Sequence, residues 1–263
     1  MSGLPRKTRH RRQAAGRLNV DTLKPKHLCQ CMDTRTKQGC EQIALQGSLY
    51  CETHQSCPLG ATNGFETNYC PGCYNDDPSI YKSHNCYSYA MGVIDTNLVE
   101  KCRRHSKKNT CRKSFHQPGA LNGDRYTLNA QDRRTCPVVE KLMLSDVPEI
   151  TKTSFSQSCP RNTSKIALVV DPGEDYHFYK QDSDGFWSHK DGSNKVKRYD
   201  ALKRPIANPQ FASRNYRWQN SDLNYEDFCG FYCVPRREEV RLGQGGAMAK
   251  ARVRGRSYRK RQG

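Results

Sequence analysis

The chain has 263 residues, 14 of them cysteine, with 44 Lys+Arg against 26 Asp+Glu and a formal net charge of +18. An apolar share of 35% is too low for every segment to be packed, so one good-sized domain with unpacked appendages is expected. No apolar run approaches membrane-spanning length, Ile166-Ala167-Leu168-Val169-Val170 being among the longest, and no hydrophobic stretch follows the charged N-terminus as in a secretory signal.

Residues 1–26 read as a basic arm and residues 236–263 as a second. Residues 1–19 carry +6 without an acid, and residues 236–263 carry +8, which leaves the middle of the chain close to neutral. Arms of this kind bind nucleic acid or another polyanion by counterion release, without sequence preference. Their Gly, Ala, Arg and Ser content predicts disorder in isolation. A dedicated single-strand binder is less well supported, because base stacking needs aromatic side chains and the arms hold only Tyr258.

Residues 27–56 form a compact Cys/His module. Cys31-x8-Cys40-x10-Cys51-x2-His54 offers four borderline-soft ligands, a set that suits tetrahedral zinc; Cys29 competes with Cys31 for the first position. Four protein ligands leave no open position, so the metal is structural. It would supply the folding energy of a segment too short for a core, on the order of 10 kcal/mol.

Residues 57–82, rich in Gly, Pro, Asn and Asp, read as a linker that holds Cys57, Cys70 and Cys73. Cys70-x2-Cys73 is expected to be structural: a second zinc site completed by Cys29 or His84, with a redox pair as the alternative. The missing secretory signal predicts a reducing compartment. There the cysteines serve as ligands, a nucleophile or buried thiols rather than a disulfide framework, and Cys102 pairs with Cys111 only in oxidising surroundings.

Residues 83–235 form the main domain. A helix runs from Cys86 to about Ile94, with Tyr87, Ala90, Met91 and Ile94 at helical spacing and Ser83 or Asn85 as the cap. Cys102 to Gly119 is irregular and basic, and Pro137 to Leu144 is a second helix. Strands follow at Lys165–Val170, Asp175–Gln181, Phe186–Lys190 and Phe228–Val234, the middle two joined by a turn at Asp182-Ser183-Asp184-Gly185. The fold class is α+β: helix packed on a small antiparallel sheet.

Three residues in this domain can make a thiol site. Cys86 opens a helix, where the partial positive charge of the N-terminus favours a thiolate. His177, on the strand beside the aliphatic one, can act as base and then as acid. His189 can orient it, with Asp175 and Asp182 as substitutes. A three-residue loop Ser183-Asp184-Gly185 pairs Tyr179 with His189 and turns both histidines to one face; a two- or four-residue loop separates them.

The pattern Asn85-Cys86-Tyr87-Ser88-Tyr89-Ala90, then Tyr176-His177-Phe178-Tyr179, then Trp187-Ser188-His189 resembles the NlpC-type papain-fold hydrolases, which are peptidases and amidases. Phe115-His116-Gln117-Pro118-Gly119 and the run from Asp175 to Lys190 also resemble uncharacterised proteins of large DNA viruses, over about residues 83–235. The Cys/His module resembles small three-cysteine, one-histidine knuckles of the same viruses. The resemblance implies a papain-like domain with Cys86, His177 and His189 as catalytic residues and a peptide or amide as substrate. His116 and Gln117 are further polar candidates. It also implies synthesis in a host cytoplasm and residence in a virion among other capsid proteins. The rival expectation is a non-enzymatic minor capsid protein that keeps the papain-like scaffold and binds its neighbours or nucleic acid through the arms.

Overall fold

A computed structural model describes residues 25–32, 36, 38–104, 111, 115–123, 134–219, 221–236 and 242. Most of both basic arms lies outside these residues, and so does the expectation of their disorder. The described residues are α+β. Five short helices come first, at Pro71–Asn75 (α1), Pro78–Ser83 (α2), Cys86–Met91 (α3), Thr96–Arg104 (α4) and Cys136–Asp146 (α5). Six strands follow, at Thr151–Thr153 (β1), Thr163–Asp171 (β2), Asp175–Gln181 (β3), Trp187–Lys190 (β4), Val196–Lys197 (β5) and Asp227–Pro235 (β6). They form one antiparallel sheet in the order β1-β6-β2-β3-β4-β5. No described helix is long and apolar enough to cross a membrane.

β2 is central because Ile166 to Val170 is apolar on both faces and fully buried. Ile166, Leu168 and Val170 face one layer, with Tyr176, Phe178, Tyr232 and Val234 beside them and α3 and α5 above. Ala167 and Val169 face the other, with Tyr179, Trp187, Phe231, Ile206 and Tyr225. The period-two alternation of the strands thus splits the domain into two cores, and α3 and His177 belong to different ones.

Two segments differ from the sequence reading. Residues 57–82, expected as a linker, lie along the main domain and contribute α1 and α2. The Asn63 amide donates to the carbonyls of Cys159, Pro160 and Thr163. Asn75 exchanges two hydrogen bonds with the Val196 backbone, and the buried Lys165 ammonium donates to Ala61 and Phe155 carbonyls. Buried polar groups need such partners, and here this segment supplies them. The expected irregular stretch after Cys102 begins inside a helix, α4, which buries Leu98, Val99 and Cys102.

The expected reduced chain is also not what the structure has. Ten described cysteines form five disulfides: Cys31–Cys57, Cys70–Cys73, Cys102–Cys111, Cys136–Cys229 and Cys159–Cys233. Their Cα atoms lie 5.2–5.7 Å apart, inside the range a disulfide tolerates. Two of them join residues 93 and 74 positions apart, tying α5 and the loop before β2 to β6. The fold makes these pairings, so no local spacing announced them.

Candidate functional site

Asn85 caps α3 from extended backbone. Its side chain accepts the Ser88 N–H while the Ser88 hydroxyl accepts the Asn85 N–H, closing a capping box. Cys86 is therefore the first helical residue. The helix ends after Met91, short of Ile94, because Gly92 takes the left-handed conformation at φ 73°. The approach to the cap is pinned twice. The Asn85 amide donates to the His116 carbonyl at 2.8 Å. The Lys190 ammonium donates to the carbonyls of Tyr81, His84 and Gly192 at 2.5–2.6 Å.

The Cys86 thiol is free and buried. Burial pushes it far above its usual range and the charges of Asp175 and Asp191 push the same way, against the Phe178 N–H it accepts and the Lys190 ammonium. The sulfur rests as a protonated thiol beside the β3 backbone.

Across β3 and β4, Tyr179 pairs with His189, so His177 and His189 share a face. His177 Nε2 lies 2.8 Å from His189 Nδ1. His189 Nε2 lies 2.9 Å from the Tyr199 carbonyl, which can only accept, so that nitrogen carries the proton. His189 Nδ1 faces both His177 Nε2 and the Asp191 carboxylate: bare, it accepts from His177 Nε2 and leaves His177 Nδ1 as the basic nitrogen; carrying a proton, it donates to Asp191. Asp191 completes the group: its Oδ1 is 3.1 Å from His189 Nδ1 and 3.7 Å from His177 Nε2, while its Oδ2 is 2.5 Å from the Lys197 ammonium. Burial, then His189, depress the His177 imidazole to about 3. Burial raises the Asp191 carboxyl, but His189, His177 and Lys197 outweigh it and hold it well below the usual carboxylate range.

Among the described residues no hydrogen bond joins Cys86 to either histidine. Cys86 packs with the core around Phe178, whereas the His177 ring packs on Tyr179 and Tyr225, at 5.1 and 5.4 Å between centroids. Cys86 meets β3 at the backbone N–H of Phe178, the residue next to His177.

The second group is in the N-terminal module. Cys40 Sγ and Cys51 Sγ are 3.7 Å apart, Cys51 Sγ and His54 Nδ1 3.3 Å, and Cys29 Sγ and His54 Nδ1 3.9 Å. All four ligand atoms lie within 4.8 Å of one another, so Cys29, Cys40, Cys51 and His54 could hold a metal ion. Tetrahedral zinc, with Zn–S about 2.3 Å and Zn–N about 2.05 Å, requires ligand atoms roughly 3.6–3.8 Å apart, so the donors fit.

No family model matches the chain, and no solved structure matches it. It is 33% identical over 174 residues to insoluble matrix shell protein 1 of Ruditapes philippinarum, an overlap of 66% of this chain and 94% of the relative. The chain belongs to the family of that protein.

In this member of the insoluble matrix shell protein 1 family, the structure brings His177 and His189 together and gathers Cys40, Cys51 and His54. Cys31 is a correction to the expected ligand set. Cys29 and Cys31 are two residues apart in the chain; Cys57 takes Cys31 into a disulfide, and Cys29 remains for the ligand group. Neither substitute orienter meets an imidazole: Asp175 accepts from the Tyr225 hydroxyl, and Asp182 from Ser188 and Arg198. His116 sits 3.4 Å from Asp95, and the Gln117 side-chain oxygen Oε1 accepts from the Tyr176 hydroxyl. Sequence reasoning missed Asp191, whose position two residues after His189 was the available signal.

Proposed function

We propose that residues 83–235 are a papain-like thiol hydrolase domain of the NlpC type that cleaves a peptide or amide bond. Cys86 is the nucleophile, His177 the base and His189 the orienter. One observation carries this reading: His177 Nε2 and His189 Nδ1 lie 2.8 Å apart, at the β3 residue next to the one whose N–H holds the Cys86 sulfur, so that a His189 accepting from Nε2 leaves His177 Nδ1 as the proton acceptor. In the reaction the Cys86 proton passes to His177 Nδ1 and the sulfur attacks the substrate carbonyl. Backbone N–H groups at the start of α3 face the developing oxyanion. The imidazolium then protonates the leaving amine, and water releases the acyl group. Burial disfavours both ions of this pair, so the resting site is neutral and substrate must draw thiol and imidazole together.

The setting we propose is an insoluble or particulate assembly in oxidising surroundings, a virion being one such assembly. Five disulfides and the name of the relative support it. Zinc is the ion we propose for Cys29, Cys40, Cys51 and His54, as a structural clamp. The same observations favour a second reading, a structural matrix or minor capsid component that retains the scaffold without turnover, with its arms bound to neighbours or to a polyanion. A thiol-reactive amide probe at neutral pH separates the two. Labelling mapped to Cys86 and lost in His177→Ala supports the hydrolase. A folded protein whose Cys86 never reacts leaves the structural reading.

A further inference from the structure

We propose that His177, His189 and Asp191 form a binding site for a divalent transition-metal ion of the zinc or cobalt type, distinct from the cysteine module, and that the ion switches the thiol site off. The switching half rests on the hydrolase reading; the metal site does not.

Three ligand atoms converge here, His177 Nε2, His189 Nδ1 and Asp191 Oδ1, all within 4.8 Å of one another. Their separations are 2.8, 3.1 and 3.7 Å. Donors on one tetrahedral or octahedral ion with bonds of about 2.1 Å lie roughly 3.0–3.4 Å apart, so small side-chain adjustments admit the ion. Two imidazoles and one carboxylate are a common donor set for such metals and leave further positions open.

The surroundings are those of a built site. The Tyr199 carbonyl takes the His189 Nε2 proton at 2.9 Å, which fixes the tautomer that presents Nδ1 as a lone pair. Lys197 holds Asp191 Oδ2 and turns Oδ1 toward the rings. Both histidines are buried, while the Asp191 side chain is 33% exposed and marks the entry side.

The consequence for catalysis follows from proton positions. Without metal, His177 carries its proton on Nε2 and offers Nδ1 as the base. A metal on Nε2 needs that lone pair, so the ring proton moves to Nδ1 by exchange with water, with no net release. His177 then has no nitrogen left to accept the Cys86 proton.

Cobalt titration of the full-length, disulfide-bonded protein tests this. The cysteine module produces intense sulfur-to-cobalt charge-transfer absorption; the second site, lacking sulfur, produces only weak d–d bands. Wild type is expected to bind two equivalents. His189→Gln and Asp191→Asn are expected to bind one and keep the charge-transfer band. Cys51→Ser is expected to lose that band and keep the weak ones. Folded His189→Gln and Asp191→Asn proteins that still bind two equivalents overturn the proposal. If those variants do not fold, the wild-type ring resonances decide: His177 and His189 must shift or broaden with the second equivalent, and unmoved resonances overturn the site. Filling it is expected to slow Cys86 alkylation at least about tenfold. An undiminished rate overturns the switch. A Cys86 that never reacts, with cobalt bound or absent, sinks the hydrolase reading and leaves the metal site standing.

Discussion

His177 and His189 meet at 2.8 Å because Tyr179, not Tyr176 or Phe178, stands opposite His189 across the β3–β4 hairpin. One residue more or fewer in the turn would have sent the second ring into the other core. The pair is thus a property of strand register, and it sets the first prediction.

His189→Ala removes the acceptor that positions the His177 ring and frees the Tyr199 carbonyl. Alkylation of Cys86 is expected to slow about tenfold or more, while His189→Asn, which still offers an acceptor oxygen, recovers part of the rate. Second-order rate constants for an amide-type alkylator, measured beside melting curves, check this. Equal rates in wild type and His189→Ala would remove His189 from the mechanism.

The two neighbouring cysteines of the N-terminal module separate cleanly. Cys29→Ser takes away a ligand and is expected to leave the module without bound zinc, whereas Cys31→Ser breaks a disulfide and keeps the metal. Released zinc, measured with a chromophoric chelator, distinguishes them. Chelation of wild type is expected to unfold the module and leave the sheet domain intact, because that domain has two apolar cores of its own.

The Cys136–Cys229 disulfide closes a 93-residue separation between α5 and β6. Replacing both cysteines with serine is expected to cost about 3 kcal/mol through the freed unfolded chain. Urea unfolding without reductant would show a lower midpoint. The Cys70→Ser/Cys73→Ser variant, which opens a loop of three residues, is expected to change the midpoint far less.

His84 makes stability depend on pH. Its Nε2 accepts the Asp95 N–H at 2.8 Å, and its Nδ1 lies 3.0 Å from the Ile80 carbonyl, so the folded ring is neutral. Burial lowers it to about 4 from the ordinary 6.5. Between those values the unfolded chain binds more protons, so this contribution is whole above about pH 6.5 and is lost as the pH falls toward 4. The loss is on the order of 3 kcal/mol. His84→Gln is expected to flatten the stability–pH slope in that window by about one proton. A slope unchanged by the substitution would assign the acid sensitivity elsewhere.

Much of the sheet was legible because its signals are local. The apolar run at 166–170, the alternation at 175–181 and the Asp-Ser-Asp-Gly turn each give their element directly, whereas the parity of the two histidines, open between loop lengths in the sequence, comes from the Tyr179–His189 register. The cap narrows to Ser83 or Asn85 for the same reason, and it is Asn85. The end of α3 was overrun because helical spacing carried on through Ile94, while a left-handed Gly92 stopped the backbone. What the sequence concealed was long-range. Cys29 and Cys31 cannot be told apart until Cys57 arrives from 26 residues away. Likewise Cys136 and Cys229 have nothing in their flanks to link them. The meeting of Cys86 with β3 beside His177 is a matter of packing: spacing assigns each residue a face of its own element, not the place at which another element lands.

Lys190 directly follows His189 in the chain, yet its ammonium grips the Tyr81 and His84 carbonyls, just ahead of the Asn85 cap. A single amine therefore rivets the turn that carries the sulfur to the hairpin that carries the imidazoles. Acylating that amine would release its hold on both segments at once, with Cys86, His177 and His189 left chemically untouched.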